Sequence, residues 1–128
     1  MPAPLNILVV DDNAEVLATI RELLLLHGYR VRAFTEGAAA VADFRRAPAD
    51  MVITDLGMPE VTGWQVAGAV RQMSATTPIV FITAVSERLD EDALRQLGIA
   101  EVLRKPFRIS QISRVLHMLS GTETSEKD

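Results

Sequence analysis

Acidic, hydroxyl and ammonium side chains recur in this chain at one kind of place, the point where a short apolar run stops. Asp11 and Asp12 close the run at residues 5–10, Asp55 closes 51–54, Thr83 closes 79–82, and Lys105 closes 101–104. If these runs are neighbouring parallel strands, the side chains converge on one crevice, because open α/β sheets bind ligands at the carboxyl ends of their strands. Three carboxylates gathered there repel one another unless a cation or Lys105 offsets them. Oxygen donors with room for water suit Mg²⁺, which takes one or two protein carboxylates together with phosphate oxygens. Asp11, Asp12 and Asp55 are the candidate metal ligands, and the backbone carbonyl of Gly57 can complete the shell. Asp55 is the candidate nucleophile, since a carboxylate can form an acyl phosphate. Thr83 can donate its hydroxyl to one phosphoryl oxygen and Lys105 its ammonium to another, which is electrostatic positioning of an in-line phosphoryl transfer. Singly, each residue has a plainer role: a helix cap, a strand threonine, a lysine in a turn. Their joint position on one rim favours the chemical role.

The elements that must position these residues alternate from end to end. Residues 5–10 form a run suited to a strand buried on both faces. Asn13 can cap the helix that follows, in which Val16, Leu17, Ile20, Leu23 and Leu24 recur at helical spacing and Gly28 is the stop. A second strand is expected at 31–35 and an alanine-rich helix at 36–46. A third strand at 51–54 ends at Asp55, and a loop at 56–63 carries Pro59 and two glycines. Helix 64–73, strand 79–82, helix 87–97 stopped by Gly98, and strand 101–104 follow. Ile109, Ile112, Val115, Leu116 and Leu119 mark one face of the last helix. Five β–α units in a row imply a parallel sheet covered on both sides, with right-handed crossovers.

Composition narrows the function. The 128 residues are 48% hydrophobic, enough for one core, and no apolar run approaches the ~18 residues of a membrane helix. No signal peptide is expected at the amino terminus. Net charge is −4 with no basic stripe, which argues against direct nucleic-acid binding. Cysteine is absent, which suits a reducing cytosol, and a cytoplasmic setting is expected. His27 and His117 lack a third ligand nearby in sequence, so a zinc site is not expected.

Four stretches carry a resemblance: Val9-Val10-Asp11-Asp12-Asn13, Thr54-Asp55-Leu56-Gly57-Met58-Pro59, Ile82-Thr83-Ala84 and Lys105-Pro106-Phe107. In this order they are similar to the signatures of the receiver domain of two-component response regulators. The resemblance runs from about residue 5 to residue 119, leaving 120–128 as a polar, frayed tail. It implies a flavodoxin-like (βα)₅ fold with strand order 2-1-3-4-5, Mg²⁺ as the metal, and a phosphohistidine on a sensor kinase or phosphotransfer protein as donor. It further implies Asp55 as phosphoacceptor, Asp11 and Asp12 as acidic-pocket residues, Thr83 as switch hydroxyl, Lys105 as phosphoryl-binding cation, and a cis Lys105–Pro106 bond. The domain would then be a regulated acceptor that acts only on itself and controls a downstream partner. Kinase docking would use the polar side of the first helix, including Glu15, Ala18, Thr19 and Glu22. Output or dimerisation would use residues 87–119, where Arg88, Asp90, Glu91, Arg95, Arg104 and Arg114 could form cross-subunit pairs.

The chain also departs from that family. Receivers usually carry an aromatic three residues before the lysine, and here it is Val102, which weakens the usual aromatic–threonine coupling. Displacement of residues 83–87 and the fourth helix is the expected substitute. The two positions that tune acyl-phosphate lifetime are Gly57 and Val85, neither able to orient a hydrolytic water, so slow self-dephosphorylation is expected. Leu25 and Leu26 add apolar surface to the first helix, either as ordinary exposed leucines or as a partner contact. Trp64, Met58 and Met73 are expected to pack in or near the core. A haloacid-dehalogenase-like phosphohydrolase would place its nucleophile at the first strand in an Asp-x-Asp pattern, which Asp11-Asp12-Asn13 does not match. A phosphorylation-independent docking module has no physical need for three clustered carboxylates. Nucleotide or flavin binding would need a phosphate loop after strand one, and none is present.

Overall fold

The computed structural model describes residues 5–84 and 88–120. Its elements are β1 (Asn6–Val10), α1 (Ala14–Leu26), β2 (Arg30–Phe34), α2 (Gly37–Arg46), β3 (Met51–Asp55), α3 (Gly63–Met73), β4 (Ile79–Ala84), α4 (Glu91–Leu97), β5 (Glu101–Lys105) and α5 (Ile109–Ser120). The five strands form one parallel sheet in the order β2-β1-β3-β4-β5. The flavodoxin-like (βα)₅ architecture expected from the sequence is therefore the one observed. The chain leaves β1 toward one edge to make β2, then returns across it to make β3. The carboxyl ends of β1 and β3 thus flank the point where strand order reverses, and a crevice opens there.

Strand periodicity divides the core. Ile7, Val9, Ile53, Val80, Ile82 and Leu103 face α1 and α5, where they meet Leu17, Ile20 and Leu24 and then Ile112, Val115 and Leu116. Leu8, Val10, Val52 and Phe81 face the other way, onto Ala40 and Phe44 of α2 and Val66, Ala67 and Val70 of α3. Each large side chain so buried contributes about 1.5–3 kcal/mol. Met58 is buried, and Trp64 and Met73 pack against the same layer, as expected. The edge strand β2 is tied to α2 by Arg32, whose Nε donates to Asp43 at 2.6 Å.

Local signals account for the helix ends. The Asn13 side chain accepts from the Glu15 and Val16 amides. Thr62 and Gln65 form a reciprocal capping box that starts α3 at Gly63. Gly98, at φ +65°, ends α4 in the left-handed conformation.

Several sequence boundaries move. β2 is Arg30–Phe34, one residue earlier than expected, and β4 and β5 run on through Ala84 and Lys105, which are partners across the ladder. The larger difference is α4, expected from Glu87 but beginning at Glu91. Asp90 caps it by accepting from the Ala93 amide, and an extended cap residue cannot lie inside a helix. Glu87 itself lies outside the described residues, as do Val85 and the tail from 121. The side chains of Ile109 and Leu119, assigned to the inner face of the last helix, are likewise outside what is described.

Candidate functional site

Each strand end delivers its residue to the crevice. Asp11 follows β1 directly and is fully buried, with its amide donating to the Phe34 carbonyl at 3.1 Å. Its Oδ1 accepts from the Asn13 amide at 2.8 Å, which fixes the carboxylate as the chain turns into α1. Its Oδ2 faces the Lys105 ammonium at 3.4 Å yet accepts no hydrogen bond, the one buried side-chain oxygen or nitrogen so placed among the described residues. Asp12 is exposed at the mouth of the crevice. Asp55 ends β3, 6% exposed, with Oδ1 3.7 Å from Lys105 Nζ. Thr83 is buried near the end of β4, and Lys105 ends β5 before a cis bond to Pro106. Gly57 is exposed on the loop leaving β3, and its Cα faces open space.

Asp11, Asp12 and Asp55 each offer a carboxylate oxygen, and the three lie within 4.8 Å of one another. An oxygen-only donor set with one buried acceptor left unpaired is the environment a hard divalent cation satisfies. Electrostatics tell the same story. Burial pushes the Asp55 carboxyl above the ordinary carboxylate range, and the charge of Asp11 pushes the same way. Lys105 opposes them, and Asp12 adds to the rise. One ammonium among three carboxylates leaves the crevice short of positive charge.

Sequence reasoning named every side chain in this cluster but missed what sets the Asp55 backbone. Gly63 looked like a loop glycine. A Cβ at that position would lie 2.3 Å from the Asp55 carbonyl oxygen and 2.8 Å from Leu56 Cα, so α3 rests backbone to backbone on the Asp55–Leu56 peptide. The Gly63 amide donates to the Leu56 carbonyl at 3.2 Å, and the Leu56 amide to the Ile82 carbonyl at 3.0 Å. The Thr62-x-x-Gln65 capping pattern was the available signal that α3 begins at this glycine. Arg71 was also missed. It donates to the carbonyls of Leu97, Ser74 and Thr77 and joins α3 to the turn after α4.

Several charges of the forecast output surface have partners within the chain. Arg114 pairs with Glu101 at 3.0 Å, Arg95 pairs with Asp92, and Asp90 caps α4. Val102 sits opposite Phe81 in the β4–β5 ladder, partly buried against the α2/α3 layer. Leu25 and Leu26 are exposed at the end of α1, and Glu15, Ala18, Thr19 and Glu22 line its outer side. No helix among the described residues is long and apolar enough to cross a membrane.

A family model described as response regulator receiver domain matches residues 7–117. The chain is 30% identical over 127 residues to the transcriptional regulatory protein PrrA of Mycobacterium leprae, which covers 96% of this chain and 54% of the relative. It thus spans about half the length of the curated relatives it matches. Among solved structures, the chemotaxis protein CheY4 of Vibrio cholerae superposes with a TM-score of 0.84 at 28% identity, covering 91% of this chain and 99% of that one. The receiver domain of sensor histidine kinase PA1611 from Pseudomonas aeruginosa PAO1 superposes with a TM-score of 0.82 at 29% identity, covering 94% and 100%. That structure has a magnesium ion coordinated in its active-site cleft.

Proposed function

The chain belongs to the response regulator receiver domain family, and from that premise we propose that Asp55 is its phosphoacceptor, taking a phosphoryl group from a phosphohistidine. The observation that carries this is the crevice itself. A buried aspartate ends β3 in ion-pair reach of Lys105, inside a carboxylate trio whose Asp11 oxygen lacks a hydrogen bond.

The chain's own groups divide the work. An Asp55 carboxylate oxygen attacks phosphorus in line, the O–P bond forms as the P–N bond to histidine breaks, and the electron pair leaves with the imidazole nitrogen. Lys105 stands where its ammonium can meet a phosphoryl oxygen, and the Thr83 hydroxyl, one strand over, can donate to another. Gly63 and the Leu56–Ile82 hydrogen bond hold the acceptor's backbone still during the attack. Mg²⁺ fits the donor set, held by Asp11, Asp12, Asp55 and the carbonyl of Gly57, and when bound supplies positive charge that offsets the phosphoryl oxygens. Turnover is limited to the domain's own phosphorylation and dephosphorylation, which makes it a regulatory domain rather than an enzyme on a separate substrate. The nucleophile lies on β3, not β1, which disfavours the haloacid-dehalogenase-like alternative.

The donor is a sensor histidine kinase or a phosphotransfer protein, and its setting is cytoplasmic. Its docking side is α1. There a groove of about 700 Å³, walled by Val16, Ile20, Leu23, Pro106 and Phe107, leads to Lys105. Its apolar lining supports a helical partner laid along α1.

Incubation with Mg²⁺ and acetyl phosphate, followed by intact mass, tests the proposal. The wild-type chain gains one phosphoryl group and Asp55→Asn gains none. Modification of the asparagine variant, or of neither chain, would overturn it.

A further inference from the structure

Trp64 is the sole tryptophan and occupies the first turn of α3, next to the glycine that rests on the acceptor's peptide. Its indole meets Phe81 edge to face, with ring centroids 5.0 Å apart and planes at 75°. Phe81 and Thr83 lie two apart on β4 and share a face of the sheet. The indole therefore adjoins two chain segments that lead into the crevice, one through Gly63 to Asp55 and one through Phe81 to Thr83. On its other side a groove of about 530 Å³ separates it from Ala93, Gln96 and Leu97 of α4.

The seating of α4 is uneven. None of its residues is fully buried, and only Leu94 and Leu97 pack partly against the α2/α3 layer. Its carboxyl end is fastened instead by Arg71. The guanidinium donates to the Leu97 carbonyl at 2.7 Å and the Gly98 carbonyl at 3.3 Å, while also holding Thr77 at 2.8 Å and Ser74 at 3.1 Å. A short helix pinned at one end and lightly seated along its length can pivot. Closure onto the groove would bury more of the indole, which favours it.

We propose that Trp64 couples the acceptor crevice to α4. Movement at Asp55 and Thr83 reaches the indole through Gly63 and Phe81, and α4 then swings about its Arg71-held end to close the groove. This rests on the phosphoacceptor function above. It assigns the transmitting role to an aromatic on α3, while the β5 position opposite Phe81 is the small Val102.

The full chain is loaded with Mg²⁺ and acetyl phosphate, with intact mass counting the phosphoryl group while Trp64 emission and acrylamide quenching are read. Loading should shift the emission to shorter wavelength, slow the quenching, and move the amide resonances of residues 91–97. Trp64→Leu should take up phosphoryl as wild type does and lose most of the amide shifts in α4. Phosphorylated wild type with unchanged or greater indole accessibility overturns the proposal, and so does a leucine variant whose α4 shifts persist. The wild-type quenching decides alone if the variant does not fold. Absence of any phosphoryl uptake by wild type overturns the acceptor function, and this coupling with it.

Discussion

Replacing Asp55 by asparagine should make the metal-free chain more stable, even as it abolishes phosphorylation. Two carboxylates with oxygens within 4.8 Å of one another repel by at least about 3.5 kcal/mol at an effective dielectric of about 20. Asp55 meets that repulsion from buried Asp11 and a weaker, solvent-screened one from exposed Asp12. Lys105, 3.7 Å away, returns an attraction of about 4.5 kcal/mol on the same scale, reduced by its own partial exposure. The charge–charge contributions nearly cancel, and the desolvation of a carboxylate 6% exposed is left over. Full burial of an ion costs several kcal/mol, so for a group open on one side the substitution should stabilise by about 2 kcal/mol. Asparagine keeps the shape and replaces one acceptor oxygen by an NH₂ that can donate to a neighbouring carboxylate.

Urea unfolding at neutral pH in chelator, followed by circular dichroism, measures the difference. Its sign with pH is set by the raised Asp55 pKa. The ionised group destabilises fully above that raised value. The penalty fades as pH falls, and it is gone below the usual 3.8, where folded and unfolded states both carry the proton. Mg²⁺ should narrow the gap at neutral pH, since a ligand at about ten times its dissociation constant adds about 1.4 kcal/mol to the form that binds it. An asparagine variant less stable than wild type in chelator, or a gap that ignores acidification, would refute the like-charge account of the crevice.

Other perturbations follow from the same geometry. Gly63→Ala forces a methyl to within 2.3 Å of the Asp55 carbonyl oxygen. It should cost about 2–3 kcal/mol in urea unfolding and slow phosphoryl uptake by intact mass. Glu60 sits at φ +65° without being glycine, so Glu60→Gly should raise the urea midpoint, by about 1 kcal/mol in stability. Burial pushes the Asp43 carboxyl up, but hydrogen bonds and charges from Arg46 and Arg32 outweigh it and hold it below 3.8. Its ion pairs therefore stabilise fully above pH 3.8 and are lost as pH falls through the lowered value. Asp43→Asn should cost about 2 kcal/mol at neutral pH, with the difference from wild type vanishing in acid unfolding series. Open space above Gly57 admits a side chain without strain, so Gly57→Asn should shorten the lifetime of the phosphorylated form. An unchanged decay rate would count against hydrolytic water reaching Asp55 from that side.

Much of this protein is legible along the chain because its signals are local. Apolar runs broken by Asp11-Asp12, Asp55, Thr83 and Lys105 announce strands and place chemistry at their ends. Asn13 and Gly98 mark helix boundaries through their own backbone preferences. The parallel sheet follows from alternation alone, because consecutive parallel strands need a crossover between them. Other features depend on which distant segments adjoin, and no local pattern carries that. α4 begins at Glu91, capped by Asp90, rather than at Glu87, since acidic residues in this stretch offer more than one plausible start. The contact of Gly63 with the Asp55 peptide, the grip of Arg71 on the turn after α4, and the meeting of Trp64 with Phe81 arise only when α3 docks on the sheet. The unpaired Asp11 oxygen exists because the fold brings β1 and β5 to opposite sides of β3 and β4, so that one lysine must serve two buried carboxylates. Side-chain types can be read one residue at a time, whereas burial, distance and unmet hydrogen bonds are properties of pairs far apart in the chain.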